Sequence, residues 1–163
     1  MSPLPPALLR LNLDWLRVLV LDLAGAAPDE GCALLLGRQL SAGSAPRLLE
    51  LDLVWPCLNR WQPAAQRRQR FLIDPREQLL AQRWARQRGM QVLGSAHSHP
   101  QSPAEPSATD LALAVAPTLM VIRSGLVGAG AGANPTESLA GLGAWWLTGD
   151  GAVPLALEIR VTP

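Results

Sequence analysis

The chain has 163 residues, 48% of them hydrophobic and 17% charged, with a formal net charge of +1. That is one domain's length, enough to bury roughly 70% of the unfolded chain's surface, and the composition is not that of a disordered segment. So small a net charge makes no field suited to a polyanion, and nucleic acid is not an expected partner. All 14 basic residues are arginine, and tyrosine is absent, which removes a phenolic acid from the candidate chemistry. Cys32 and Cys57 are not closely spaced, so neither a disulfide framework nor a zinc knuckle is expected, and a reducing cytoplasm fits. Arg10, Asp14, Arg17 and Asp22 interrupt the apolar N-terminal region before the ~18 apolar residues of a membrane span accumulate.

Taken in order, residues 5 to 24 carry Leu8, Leu9, Leu16, Leu19, Val20 and Leu23 near helical spacing, with Pro5 and Pro6 suited to a first turn. The pattern predicts an amphipathic helix, although Leu11, Leu13 and Trp15 alternate and permit some extended chain at its start. Gly25-Ala26-Ala27-Pro28 ends it, and Glu30 heads a strand through Leu34-Leu35-Leu36. A turn over Gly37 to Pro46 leads to a half-buried strand from Arg47 to Trp55, with Leu49, Leu51 and Leu53 on one face and Pro56 as its stop. A polar loop bearing Arg60, Arg67, Arg68 and Arg70 follows, read as a mobile, solvated connection or a partner surface, then a short strand Phe71-Leu72-Ile73. Asp74 as N-cap, Pro75 at N1 and Glu77 at N3 open a helix that runs to Arg88, stops at Gly89 and turns Leu80 and Trp84 to the core. Met90 to Leu93 and Leu119 to Ile122 read as buried strands. The glycine-rich stretch 125–143 reads as a flexible loop without a phosphate-binding pattern. Ala144 to Leu147 and Val153 to Val161 read as a closing hairpin around Gly149-Asp150-Gly151.

The chain's two histidines both fall in Gly94-Ser95-Ala96-His97-Ser98-His99-Pro100. Side chains two apart on a strand share a face, so His97 and His99 converge while Ser98 points to the other side. Pro100 lacks an N–H and stops the pairing, which places both imidazoles at a strand end. Ser107 and Asp110 then have the offsets of a helix N-cap and its N3 partner, which return a hydroxyl and a carboxylate towards that end. Each part alone has an ordinary structural reading: a capping box, or a satisfied core histidine. Together, two imidazoles, one carboxylate and an open fourth position form the donor set of a catalytic zinc site.

This arrangement, His-x-His, seven residues, Ser, two residues, Asp, resembles the signature of the JAMM (MPN+) metallopeptidases, in particular the short bacterial type. Pro28-Asp29-Glu30-Gly31-Cys32-Ala33-Leu34-Leu35-Leu36-Gly37 is similar to the family's upstream glutamate strand, with Ala33 where a glycine is usual and Gly31 two places before it. Asn59, Phe71 to Pro75 and Arg88-Gly89 extend the resemblance over about residues 28 to 124. It implies an α/β fold: a single MPN (JAMM-like, cytidine-deaminase-like) domain over 1–163, with a mixed, mostly antiparallel central sheet flanked by helices. It also implies Zn2+ on His97, His99 and Asp110, Glu30 as general base, and Ser107 as donor to the oxyanion. The activity implied is hydrolysis of a peptide or isopeptide bond after the Gly-Gly of a ubiquitin-like or sulfur-carrier protein. Asp29 is the reserve base, Glu105 reads as solvated, and Cys32 reads as a buried thiol. A non-catalytic MPN scaffold is the alternative. A barrel amidohydrolase, which also uses His-x-His, needs ~250 residues and does not fit.

Overall fold

The computed structural model describes residues 4–127 except 42, 44 and 46, and residues 135–163 except 150 and 152. In chain order the elements are β1 (Leu8–Asn12), α1 (Leu13–Gly25), β2 (Cys32–Leu40), β3 (Leu48–Cys57), α2 (Pro75–Arg86) and β4 (Gln91–His99). After them come α3 (Ala108–Leu113), β5 (Thr118–Ser124), α4 (Pro135–Leu139), β6 (Leu142–Leu147), β7 (Leu155–Ala156) and β8 (Glu158–Thr162). One sheet runs β7-β6-β5-β4-β2-β3-β1-β8. It is mixed and mostly antiparallel: β4/β5, β1/β3 and β1/β8 are the parallel pairs.

α1 buries Leu16, Leu19, Val20 and Leu23, at three- and four-residue spacing, against Leu35, Leu51, Ala96 and Val121 on one face of the sheet. Asn12 caps it by accepting the Trp15 N–H at 2.8 Å. The helix expected from residue 5 therefore begins at Leu13. Before it, Leu9 and Leu11 alternate into the core as β1, whose backbone groups pair with β3 and β8 instead of forming a helical turn.

α2 covers the opposite face. Asp74 caps it as expected, but Ala81 and Ala85 are the residues it buries, Trp84 lies edge-on to Trp55, and Leu80 is 57% exposed. Small residues let this short helix sit close to β2. Two further expectations are corrected nearby. Pro56 lies inside β3, opposite Ala33, because β1 pairs only with Leu48 to Leu51 and leaves no neighbour on the other side of Pro56 to miss its N–H. Phe71 to Ile73 joins no strand, since the Leu72 N–H is taken by the Asn59 side chain and its carbonyl by the Arg60 N–H.

The sheet ladder slips by one residue at two places, each beside a glycine. Between β2 and β4, Leu35 pairs with Gly94 and Leu36 with Val92, so Leu93 is bulged. Between β2 and β3, Leu36 pairs with Leu53 and Gly37 with Leu51. The expected turn from Gly37 is thus strand as far as Leu40. The hairpin expected at the C-terminus is only half formed. β7 pairs with β6, but after the single residue Leu157 the chain runs as β8 beside β1, at the other edge. The two sheet edges therefore meet, with the Leu157 N–H on the Ala144 carbonyl and the Glu158 N–H on the Ala7 carbonyl. Within 125–143, Pro135–Leu139 is helical and β6 begins at Leu142, while 128–134 lie outside the described residues. No helix among the described residues is long and apolar enough to cross a membrane.

A Cβ at Gly94 would overlap the Leu119 carbonyl of β5. Gly94→Ala is expected to cost at least about 2 kcal/mol and to lower Tm by roughly 4–8 °C. Gly25→Ala, with open space around it, is expected to be neutral or to stabilise by up to ~1 kcal/mol. Paired thermal unfolding scans check both.

Candidate metal centre

The bulge at Leu93 decides which way the histidines face. Leu93 packs on the α1 side, and strict alternation would carry His97 and His99 there too. The slipped ladder shifts the phase, so His97 pairs with Cys32 and stacks on Phe71, on the α2 side, with ring centroids 4.4 Å apart. His97 Nε2 and His99 Nε2 then lie 3.0 Å apart. Each is 3.2 Å from one oxygen of the Asp110 carboxylate. All three residues are buried.

Asp110 arrives through a complete capping box. The Ser107 hydroxyl accepts the Asp110 N–H at 3.1 Å, and Asp110 Oδ2 accepts the Ser107 N–H at 2.8 Å. The tautomer of His99 is set from behind, because its Nδ1 meets the Pro103 carbonyl at 2.8 Å and must carry the proton. In the neutral ring its Nε2 lone pair therefore points into the cluster, and in the protonated ring the Nε2–H donates to Asp110 Oδ2. Lone-pair atoms this close repel unless a proton or a cation lies among them. A tetrahedral zinc ion with bonds of ~2.0–2.2 Å separates its ligand atoms by ~3.3 Å, so this donor set fits one with little movement.

Charge is distributed accordingly. Burial pushes the Asp110 carboxyl up, but hydrogen bonds from His97, His99 and the Ser107 N–H overcome it and hold Asp110 well below the carboxylate range. Burial lowers His97 and outweighs its attraction to Asp110. In His99 burial is overcome by Asp110, the Pro103 carbonyl and Glu30, and its pKa rises.

Glu30 sits just before β2, 4% exposed, and Oε2 has no hydrogen-bond partner. Burial, opposed by the charge of His99 and reinforced by that of Asp110, pushes its pKa up to about 7. Its backbone is held on both sides: its N–H donates to the Arg67 carbonyl at 2.7 Å, and Asn59 Nδ2 donates to its carbonyl at 3.0 Å. The arginine loop, expected to be a solvated connection, is in this way a wall of the site. A cavity of about 590 Å³ opens beside Glu30, bordered by Asp22, Asp29, Cys32, Arg60 and Arg67. Glu105 is exposed. Cys32 and Cys57, distant in sequence, are cross-strand partners, and both are free thiols that burial pushes up to about 12. Ala33 is fully buried in the core, whereas a Cβ at Gly31 would meet the Leu23 carbonyl at 2.8 Å. The close approach that requires glycine is thus at position 31.

Residues 13–147 match the family model described as prokaryotic homologs of the JAB domain. The chain belongs to that family. Two solution structures resemble it at 30% identity: a Desulfitobacterium hafniense protein (TM-score 0.71, covering 94% of this chain and 92% of that one) and a Salinibacter ruber protein (TM-score 0.62, 94% and 91%). A JAB1/MPN domain protein from Archaeoglobus fulgidus, at 18% identity, shares the fold (TM-score 0.50, 95% and 97%). No curated protein sequence matches the chain. For a JAB domain, the His97-His99-Asp110 triad is consistent with the metal site of the JAMM type.

Sequence reading did not find the contributions of Phe71 and Ser98. The sequence pattern of Phe71 predicts a strand, and its stacking on His97 depends on the fold alone. Strand alternation predicts only that Ser98 faces away from the histidines, and its hydroxyl accepts the Gly31 N–H at 2.8 Å.

Glu30 supplies a pH test on chelated protein. Its folded pKa of about 7 exceeds the reference 4.5, so between these values the folded state binds the extra proton. Its carboxyl is harmless below about pH 4 and destabilises as pH rises through 7. Relative to wild type, metal-free Glu30→Gln is expected to gain on the order of 2 kcal/mol between about pH 4 and about pH 8. Urea unfolding at the two pH values measures this, and an equal difference at both would contradict the buried carboxyl.

Proposed function

We propose that this JAB domain is a zinc-dependent hydrolase of peptide or isopeptide bonds that cuts after the C-terminal Gly-Gly of a small ubiquitin-like or sulfur-carrier protein. The observation that carries the reading is the convergence of three buried side chains whose nearest donor atoms lie 3.0 to 3.2 Å apart, at the spacing of the JAMM signature. His97, His99 and Asp110 would hold the ion. Zinc in such a site acidifies water to a pKa of about 7 and polarises a carbonyl.

The chain's own groups supply the rest. Glu30, buried with an unpartnered Oε2 and a pKa near 7, takes a proton from the attacking water and returns it to the leaving amine. Ser107 is exposed, and its oxygen already accepts the Asp110 N–H, so its O–H proton is available to donate to the developing oxyanion. The Pro103 carbonyl orients His99 by accepting a hydrogen bond from its Nδ1–H. Substrate class is supported by the resemblance and by the site's surroundings. The cavity beside Glu30 runs to Arg60 and Arg67, and the loop carrying them has no carboxylate between Leu58 and Ile73, which suits the folded body of an acidic carrier. A scaffold role is the less supported reading, because a scaffold has no need of a converged donor set.

Metal content and turnover separate the roles. His97→Ala and Asp110→Ala are expected to lose zinc and activity together, since two remaining protein ligands bind weakly. Glu30→Gln keeps about one zinc per chain but loses a factor of roughly 10²–10⁴ in turnover. Ser107→Asn keeps the cap and the metal and falls roughly a hundredfold. Near wild-type turnover in Glu30→Gln would move the base to Asp29.

Substrate class is tested with three probes: a ubiquitin-like carrier extended beyond Gly-Gly, the same carrier with Ala-Ala, and the free tail peptide. Only the first is expected to be cut efficiently, because residues without side chains pass a narrow channel and the folded body adds binding. Equal cleavage of all three, followed by product mass, would indicate a general peptidase.

A further inference from the structure

Glu30 makes no side-chain hydrogen bond among the described residues, so the placement of its carboxyl depends on how its backbone is held. Four ties do this. Two come from the arginine loop, through the Arg67 carbonyl and Asn59 Nδ2. The other two come from one residue of β4: the Ser98 N–H donates to the Gly31 carbonyl at 3.0 Å, and Ser98 Oγ accepts the Gly31 N–H at 2.8 Å.

The second of these is not an ordinary ladder bond. Cys32 pairs with His97, so continued antiparallel pairing would set Gly31 opposite Ser98 and send the Gly31 N–H to the Ser98 carbonyl. One backbone bond of that pair survives, and the hydroxyl replaces the other. The chain therefore leaves the ladder at Gly31 while still tied to β4, and it does so where the Leu23 carbonyl of α1 leaves no room for a side chain. The imidazoles of the neighbouring His97 and His99 face the opposite side. A single strand end thus holds the metal donors on one face and the backbone beside Glu30 on the other.

We propose that Ser98 is a positioning residue that sets the reach of Glu30 to the metal site through the Gly31 N–H, with Asn59 completing the hold from the loop. This rests on the reading of Glu30 as the base. The alternating pattern makes the device economical: any residue between the two histidines must face Gly31, and only one with a short acceptor satisfies that buried N–H while letting the chain turn away. Because a displacement of ~1 Å at a catalytic group costs about a hundredfold, Ser98→Ala is expected to lower kcat by roughly 10- to 100-fold, with KM within about twofold and zinc content unchanged. Ser98→Thr, which keeps the hydroxyl on a strand-compatible side chain, is expected to recover activity to within about threefold.

Two measurements on the zinc-loaded protein decide the matter. Amide hydrogen exchange reads the tie without any substrate: in Ser98→Ala the Gly31 amide is expected to exchange at least about tenfold faster, with Ala96 in the middle of β4 unchanged. Unchanged protection at Gly31 would overturn the proposal. Turnover of the Gly-Gly-extended carrier in a double-mutant cycle reads the positioning. Ser98→Ala is expected to have almost no further effect once Glu30 is Gln, whereas an equal loss in both backgrounds would mean a purely structural role. If Glu30→Gln itself keeps turnover, the base assignment fails. An inactive Glu30→Gln beside a fully active Ser98→Ala would reject the positioning role alone.

Discussion

The site depends on the antiparallel register between β2 and β4. Cys32 opposite His97 brings the segment just before β2 alongside the histidine strand, so a glutamate far from the histidines in sequence becomes their neighbour. Because β2 and β4 are central strands, with β3 and β5 outside them, the register cannot relax without breaking two ladders at once. That rigidity suits a site whose components must stay within a fraction of an ångström of one another.

The same groups serve folding and chemistry. Asp110 satisfies the Ser107 N–H at the start of α3 and also faces two imidazoles, so the capping box and the metal-type triad are one hydrogen-bonded unit. In Asp110 the capping geometry and the approach to the imidazoles are compatible. An aspartate at N3 of a capped helix is already oriented and partly desolvated. Its carboxylate is held ionised by the backbone donor and the imidazoles, against burial that opposes its charge. Glu30, with burial and no hydrogen bond to stabilise its anion, goes the other way. Two carboxyls that feel each other's charge thus have opposite proton affinities.

The loop from Leu58 to Ile73 has more structure than its charge suggests. Asn59 alone meets the Glu30 and Arg70 carbonyls and the Trp61 and Leu72 N–H groups, so a solvent-facing, arginine-rich surface is joined by one side chain to the backbone of Glu30. A protein docking on those arginines would press on the segment that carries Glu30.

By itself the sequence determined the family, the convergence of His97, His99 and Asp110, the cap on α3 and the layered sheet, because each follows from residue types at short, fixed offsets whose geometry is local. The sequence leaves helix and extended chain both open over β1 because Leu8, Leu9 and Leu16 also fit a helix, and only pairing with β3 and β8, distant in the chain, selects the strand. The buried face of α2 was misjudged because alanine carries little hydrophobic signal, and closeness to the sheet favours it over Leu80. The crossing of β8 to the far edge, the bulge at Leu93 that turns the imidazoles away from α1, the stacking of Phe71 and the hold of Ser98 on Gly31 were decided by tertiary structure. Each depends on which backbone groups are left unpaired once the strands are in place, and a one-residue slip in a ladder changes that while leaving the pattern of residues untouched.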